Sequence, residues 1–140
     1  MDAGEIPFPY EIVIEGTPRS HQGNPAPWIA TVLEAARTRV RAVDDLGFID
    51  ERPVAETIYY FPDTPMRGDV DNIVKPILDG MKSAVYPDDK VVERVLVQKF
   101  EPGIERDFST VSEQLAIALA HEPPVVYIRV DDDLSWRMVL

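Results

Sequence analysis

The sequence lacks cysteine and has little histidine, and both shortages limit the chemistry open to it. With no Cys among 140 residues, disulfides and thiolate metal sites are excluded. The two His residues, His21 and His121, lie far apart in the chain, which argues against a His-rich zinc site. Any metal must therefore be held by carboxylates, the ligands that suit hard cations such as Mg²⁺ or Mn²⁺.

Long apolar runs are missing as well. No stretch approaches the roughly 18 apolar residues that span a bilayer, and the acidic segment MDAGEIPFPY lacks the continuous apolar run of a signal peptide. We therefore expect a cytoplasmic protein without a membrane partner. A length of 140 residues, with 45% hydrophobic and 28% charged residues, is typical of one globular domain, and we expect residues 1–140 to form it.

Positive charge is the third shortage. The chain has 14 Lys and Arg against 25 Asp and Glu, a net charge of −11, which argues against nucleic acid because phosphate-binding proteins usually carry a basic surface. The charge is unevenly spread: residues 61–100 hold seven acidic and six basic side chains, and five of those acids lie between positions 69 and 89. If these five acids hold cations, the middle segment becomes locally positive.

Hydrophobic periodicity predicts four strands and three helices in the order β-α-β-α-β-α-β. The order indicates an α/β (α+β) fold, with a small mixed β-sheet and helices packed mainly on one face. Thr110 and Glu113 have the spacing of a capping box before the last helix. The strands are predicted at 10–16, 54–61, 91–100 and 123–130, and the helices from about Pro27 to Val43, at 72–84 and at 111–120.

The acidic residues of the middle segment form a pattern around one lysine. Asp69 and Asp71 are two positions apart, so in an extended segment they project to the same side. On the predicted 72–84 helix, Asp71, Lys75 and Asp79 follow at spacings of four and form one stripe, with Asp71 also suited to the N-cap. Pro76 lies about one turn in, where it favours an irregular first turn.

A second acidic pair, Asp88 and Asp89, follows this helix. A helix of about 13 residues is ~20 Å long, so the pair meets Asp69 and Asp71 only if the chain folds back. Each Asp taken singly is also explained as a solvated loop or cap residue. A lone DxD motif therefore leaves both a metal site and plain solvation open.

The longer string GDVDNIVKPILDGMKSAVYPDDKVVERV resembles the RusA family of Holliday junction resolvases. The family pattern is DxDNxxKxxxD, then an aromatic residue and D-D-x-x-V. The resemblance is weaker at IEGTPRSHQG and at the last helix and strand. In this chain the diagnostic positions are Asp69, Asp71, Asn72, Lys75, Asp79, Tyr86, Asp88, Asp89 and Val92.

The resemblance implies a homodimeric endonuclease that uses a divalent metal and nicks branched DNA, above all four-way junctions. Carried over by position, it implies Asp69, Asp71 and Asp89 as metal ligands and Lys75 as the catalytic cation beside the scissile phosphate. It implies supporting roles for Asn72, Asp79 and Asp88, and it makes Arg19, His21 and Arg67 the candidate DNA contacts. The implied cofactor is Mg²⁺, with Mn²⁺ as a substitute.

The same residue types suit phosphodiester hydrolysis on physical grounds, because carboxylate-held Mg²⁺ activates water and relieves phosphoryl charge, and a lysine adds to that stabilisation.

Two other interpretations stay open because the chain is so acidic. One is a RusA-like metal-binding module with lost or altered activity, acting as a protein-interaction subunit or on a smaller nucleic acid. The other is a non-enzymatic acidic domain in which these Asp side chains only cap and solvate.

Overall fold

The computed structural model describes residues 8–19, 23–43 and 52–135, and within them the predicted order β-α-β-α-β-α-β is confirmed. His21, one of the candidate DNA contacts, lies outside the described residues, as does the segment after residue 135. One 3₁₀ turn, Val70–Ile73, precedes the second helix, and another, Asp89–Val91, precedes the third strand. The regular elements are β1 (Tyr10–Glu15), α1 (Ala26–Val43), β2 (Val54–Phe61), α2 (Val74–Met81), β3 (Val92–Lys99), α3 (Glu113–Ala120) and β4 (Val125–Asp131).

The four strands form one mixed sheet, as predicted, and their order across it is β1-β4-β2-β3. β4 runs antiparallel to both of its neighbours, and Ile128 lies opposite Ile12 on one side and Ile58 on the other. β3 runs parallel to β2 at the edge of the sheet. Parallel neighbours require a crossover connection. Here the crossover is the segment between Phe61 and Val92, which contains the acidic motif.

Alternation along the strands gives the sheet a separate core on each face. Val126, Ile128 and Val130 of β4 belong to the larger core, which α1 and α2 cover. Val125 and Tyr127 belong to the smaller core, which α3 covers. The prediction of helices mainly on one face is therefore confirmed, since α1 and α2 share a face and α3 alone takes the other.

Helix α1 packs directly on α2. Trp28, Val32, Ala36 and Val40 are buried at every fourth position and form the inward stripe of α1. Gly80 of α2 lies against this stripe so closely that an added Cβ would be 2.5 Å from the Cβ of Val32. The absence of a side chain at position 80 therefore sets how near the two helices come.

Helix α3 begins later than predicted. Its N-cap is Ser112, whose side chain accepts a hydrogen bond from the N–H of Leu115 at 3.1 Å. The predicted capping box of Thr110 and Glu113 is therefore wrong, because Ser112 is the cap residue and Glu113 is the first helical residue. Within the described ranges, no helix combines the length and the apolar character needed to cross a bilayer.

Candidate active site

The loop from β2 to the acidic motif is held by a residue outside the motif. Glu101, just beyond β3, accepts a hydrogen bond from the N–H of Met66 at 2.7 Å and pairs with Lys99 at 3.2 Å. The hydrogen bond from Met66, and to a smaller extent the pair with Lys99, lower the pKa of Glu101 below its ordinary value. Glu101 therefore stays ionised and fixes the loop directly before Arg67 and Asp69. Sequence reasoning missed this residue, since its partner lies 35 positions away.

The chain enters α2 through a 3₁₀ turn, and the predicted continuous helix 72–84 is wrong at both ends. Asp69 is the N-cap of the turn, although its side chain caps no N–H there, and Asp71 lies inside the turn instead of capping a helix. α2 itself spans Val74–Met81, so Pro76 falls in its first turn. The missing N–H of Pro76 costs nothing at that position because first-turn N–H groups have no intrahelical partner. The expected irregular first turn is the separate 3₁₀ segment.

A cleft of about 360 Å³ lies beside this turn and gathers several of the predicted site residues. Asp69 and Asn72 line it from the motif, and Arg67 lines it from the preceding loop. Arg19 lines it from the segment that follows β1. Both described candidate DNA contacts thus face the same opening as part of the motif. The side chains of Asp69 and Asp71 are exposed, so carboxylate oxygens are presented to the solvent at this end of the sheet.

The chain folds back after α2, as the prediction for Asp89 required. α2 has eight residues, so it is about 12 Å long instead of the ~20 Å expected. A tight loop at 82–86 then reverses the chain: Ser83 takes a positive φ of 71° and donates its N–H to the carbonyl of Tyr86 at 2.8 Å. Asp88 is the N-cap of the second 3₁₀ turn and accepts from the N–H of Lys90. The predicted supporting residue Asp88 thus shapes the turn that carries Asp89.

Lys75 is the point at which the two acidic stretches meet. Its Nζ lies 2.8 Å from Oδ1 of Asp79, one turn later on α2, and 2.6 Å from Oδ2 of Asp89. Asp79 first, and then Asp89, raise the pKa of Lys75 above its ordinary value. Lys75 in turn lowers the pKa of Asp89, and a hydrogen bond with Asp88 adds to this effect. Lys75 and Asp89 therefore both stay charged near neutral pH, and Lys75 is partly exposed to whatever enters the site.

The donor chemistry fits a hard divalent cation, but the carboxylates are not gathered around one point. Asp69, Asp71 and Asp89 offer only oxygen ligands, as Mg²⁺ prefers. No group of three or more His, Asp or Glu side chains in the described part of the chain is close enough to hold one ion. Asp89 is paired with Lys75, while Asp69 faces the cleft. The residue types thus support a metal site, and the three side chains do not converge on one.

Beneath the site lies a buried carboxyl group that the sequence reasoning overlooked. Glu56 of β2 is 1% exposed, and its Oε1 accepts a hydrogen bond from the hydroxyl of Tyr86 at 2.9 Å. Its Oε2 is buried and has no hydrogen-bond partner among the described residues. Burial raises the pKa of Glu56 to about 8, against the smaller opposite effect of the Tyr86 hydrogen bond. The alternation of β2 could have predicted this burial, since Glu56 occupies an inward position between Val54 and Ile58.

Comparison with known families finds one family model that matches the middle of the chain. Residues 50–106 match the family model described as endodeoxyribonuclease RusA. The match includes β2, the acidic motif, α2, β3 and Glu101. The resemblance predicted from the motif is confirmed over this segment. No curated protein matched the chain.

Proposed function

Starting from the match of residues 50–106 to the RusA endodeoxyribonucleases, we propose that this protein is a metal-dependent endonuclease. It hydrolyses phosphodiester bonds in branched DNA and nicks four-way (Holliday) junctions. The observation that carries the proposal is the position of Lys75 between Asp79 and Asp89. A lysine that is fully charged, partly exposed and held by two carboxylates is suited to stabilise a scissile phosphate.

The cofactor in this proposal is Mg²⁺, with Mn²⁺ as a substitute, and Asp69, Asp71 and Asp89 would hold it. When bound, the ion supplies an activated water and charge relief at the phosphoryl oxygens. The chain contributes the remaining parts of the site. Lys75 presents a fixed positive charge, and Asp79 restrains the direction of its side chain. Asn72 offers an amide in the wall of the cleft.

The DNA backbone lies along the cleft in this proposal, with Arg19 and Arg67 facing its phosphates. Two arginines matter more here than in a basic protein, because the chain carries a net charge of −11. Their contribution is electrostatic and therefore depends strongly on salt. Binding is expected at low ionic strength and is expected to weaken steeply as salt is added.

The active form we propose is a cytoplasmic homodimer. A resolvase has to nick two strands of one junction, and one copy of Asp71 and Lys75 serves one strand. Two copies related by a twofold axis present two equivalent sites, which is the usual symmetry of soluble homo-oligomers. Sedimentation at micromolar concentration is the direct measurement of this state.

Nicking of a synthetic four-way junction is the decisive experiment. The purified protein is mixed with the labelled junction and with Mg²⁺ or Mn²⁺ over a range of salt concentrations. We expect paired nicks with the wild type and none with Asp71→Asn, which is exposed and should fold normally. Asp107→Asn is the matched control, because Asp107 is also exposed but lines a cleft on the α3 face. Absence of nicking under every condition would refute the nuclease proposal.

One observation favours the alternative of a RusA-like module with lost or altered activity: the three proposed ligands do not converge. A gel-shift assay in Ca²⁺, which permits binding without cleavage in many nucleases, separates the two. Tight, junction-selective binding supports the resolvase. Binding to a short single strand or to no DNA, combined with intact folding, supports the module.

A further inference from the structure

We propose that Glu56 and Tyr86 position Asp89 beside Lys75, so that a buried carboxyl group on β2 determines the geometry of the candidate active site. This inference rests on the proposed function for its kinetic consequence. Its structural content concerns this chain alone. It assigns a role to a residue outside the acidic motif.

A hydrogen bond and a short stretch of chain connect β2 to the site. Tyr86 is fully buried, and its hydroxyl donates to Oε1 of Glu56. Its carbonyl accepts the N–H of Ser83, which closes the 82–86 loop. Asp89 follows three positions later and reaches Nζ of Lys75 at 2.6 Å. The Tyr86 side chain is thus the anchor from which the returning segment departs.

The carboxyl group of Glu56 is costly where it lies. Its neighbours on the same face of β2, Val54 and Ile58, are fully buried apolar residues. One of its oxygens has no partner among the described residues, and a buried polar atom without a partner is destabilising. A hydrophobic residue would fill this position at lower cost, but it would leave the Tyr86 hydroxyl without its acceptor.

The two ion pairs of Lys75 provide an internal control. The pair with Asp79 joins two residues of α2 at i and i+4, so it depends only on that helix. The pair with Asp89 joins α2 to the segment beyond the 82–86 loop. Loss of the Glu56–Tyr86 contact should therefore weaken the second pair and spare the first. General destabilisation would not distinguish them.

The experiment is a set of double-mutant cycles on folding stability at low ionic strength, where surface ion pairs are least screened. The coupling between Lys75 and Asp89 is measured with Lys75→Met and Asp89→Asn in three backgrounds: wild type, Glu56→Gln and Glu56→Met. Glutamine keeps the acceptor that neutral Glu56 offers to Tyr86, while methionine has a similar size and offers no comparable acceptor. We expect the coupling to persist with glutamine and to vanish with methionine, and the Lys75–Asp79 coupling to survive in both.

Tyr86→Phe is the second variant, and it guards against a failure of Glu56→Met to fold. It removes one oxygen atom and should also abolish the Lys75–Asp89 coupling. In nicking assays, Glu56→Met and Tyr86→Phe should lower kcat by roughly tenfold to a hundredfold, as expected for a misplaced catalytic group. KM for the junction should change little. The Glu56→Gln variant should keep kcat near the wild-type value.

The inference is overturned if the Lys75–Asp89 coupling persists in the folded variants that lack the Glu56–Tyr86 hydrogen bond. It is also overturned if kcat in those variants equals that of the wild type while only stability falls. Absence of nicking by the wild-type protein refutes the proposed nuclease instead. The double-mutant cycles do not involve DNA, so they still decide whether Glu56 and Tyr86 position Asp89.

Discussion

Replacing Glu56 with glutamine should make the folded protein more stable at alkaline pH. Glu56 is fully buried, and burial raises its pKa from the ordinary 4.5 to about 8. Between these two values the folded state keeps a proton that the unfolded state has lost. Stability therefore falls as pH rises from about 4.5, and the loss is complete above about 8. Glutamine has no proton to lose, so Glu56→Gln removes this loss.

The size of the effect follows from the difference between the two pKa values. From 4.5 to about 8, at about 1.36 kcal/mol per pH unit, the full penalty is roughly 5 kcal/mol. At about pH 6 only roughly 2 kcal/mol of it has developed. The advantage of Glu56→Gln over the wild type should therefore grow by roughly 3 kcal/mol between about pH 6 and about pH 9.

Urea denaturation followed by tryptophan fluorescence or circular dichroism measures this advantage at each pH. The matched control is Glu105→Gln, which changes an exposed glutamate by the same substitution and should follow the wild-type pH profile. Parallel curves for Glu56→Gln and the wild type across this range would show that Glu56 is ionised in the folded state at neutral pH. The reasoning from burial would then be refuted.

Three further substitutions test individual contacts of the fold. Gly80→Ala should lower the free energy of unfolding, measured in urea, by about 1–3 kcal/mol, because the new Cβ would lie 2.5 Å from the Cβ of Val32. Gly68→Ala is the control and should leave stability nearly unchanged, since an added Cβ there meets open space. Ser112→Ala should lower the free energy of unfolding by about 1 kcal/mol through loss of the α3 cap, and an unchanged value would contradict the assigned cap. Glu101→Gln should speed proteolytic cleavage of the 62–69 loop, since the Met66 N–H loses a charged acceptor; equal cleavage rates would show that the loop is held by other contacts.

Patterns with a short period were predictable from the sequence. β2 matched its predicted bounds because VAETIYYF alternates between the two faces of the sheet. The inward stripe of α1 followed from apolar residues at every fourth position. The bounds of α2 differ from the prediction because turn-forming residues compete there with the apolar pattern. Pro76 starts α2 at Val74, and the positive φ of Ser83 lies just beyond its end, although the apolar pattern continues through position 85.

The candidate site was predictable only where its contacts are local. The Lys75–Asp79 pair follows from a spacing of four on a helix. The Lys75–Asp89 pair spans 14 positions and depends on how sharply the chain turns after α2, which no residue spacing specifies. Glu56 and Glu101 act through partners 30 and 35 positions away. Their roles arise from the crossover between two parallel strands and become visible only in three dimensions.

The central position of β4 has a consequence for synthesis on the ribosome. β4 is the last of the described strands to be translated, yet it lies between β1 and β2 and contributes side chains to both cores. Until residues 125–131 emerge, β1 has no neighbouring strand, and Tyr10 and Ile12 cannot reach their final burial. Exposed apolar strand edges of this kind promote association of nascent chains. Completion of the sheet is therefore a late, single event, and a chain stalled before β4 should be a substrate for chaperones.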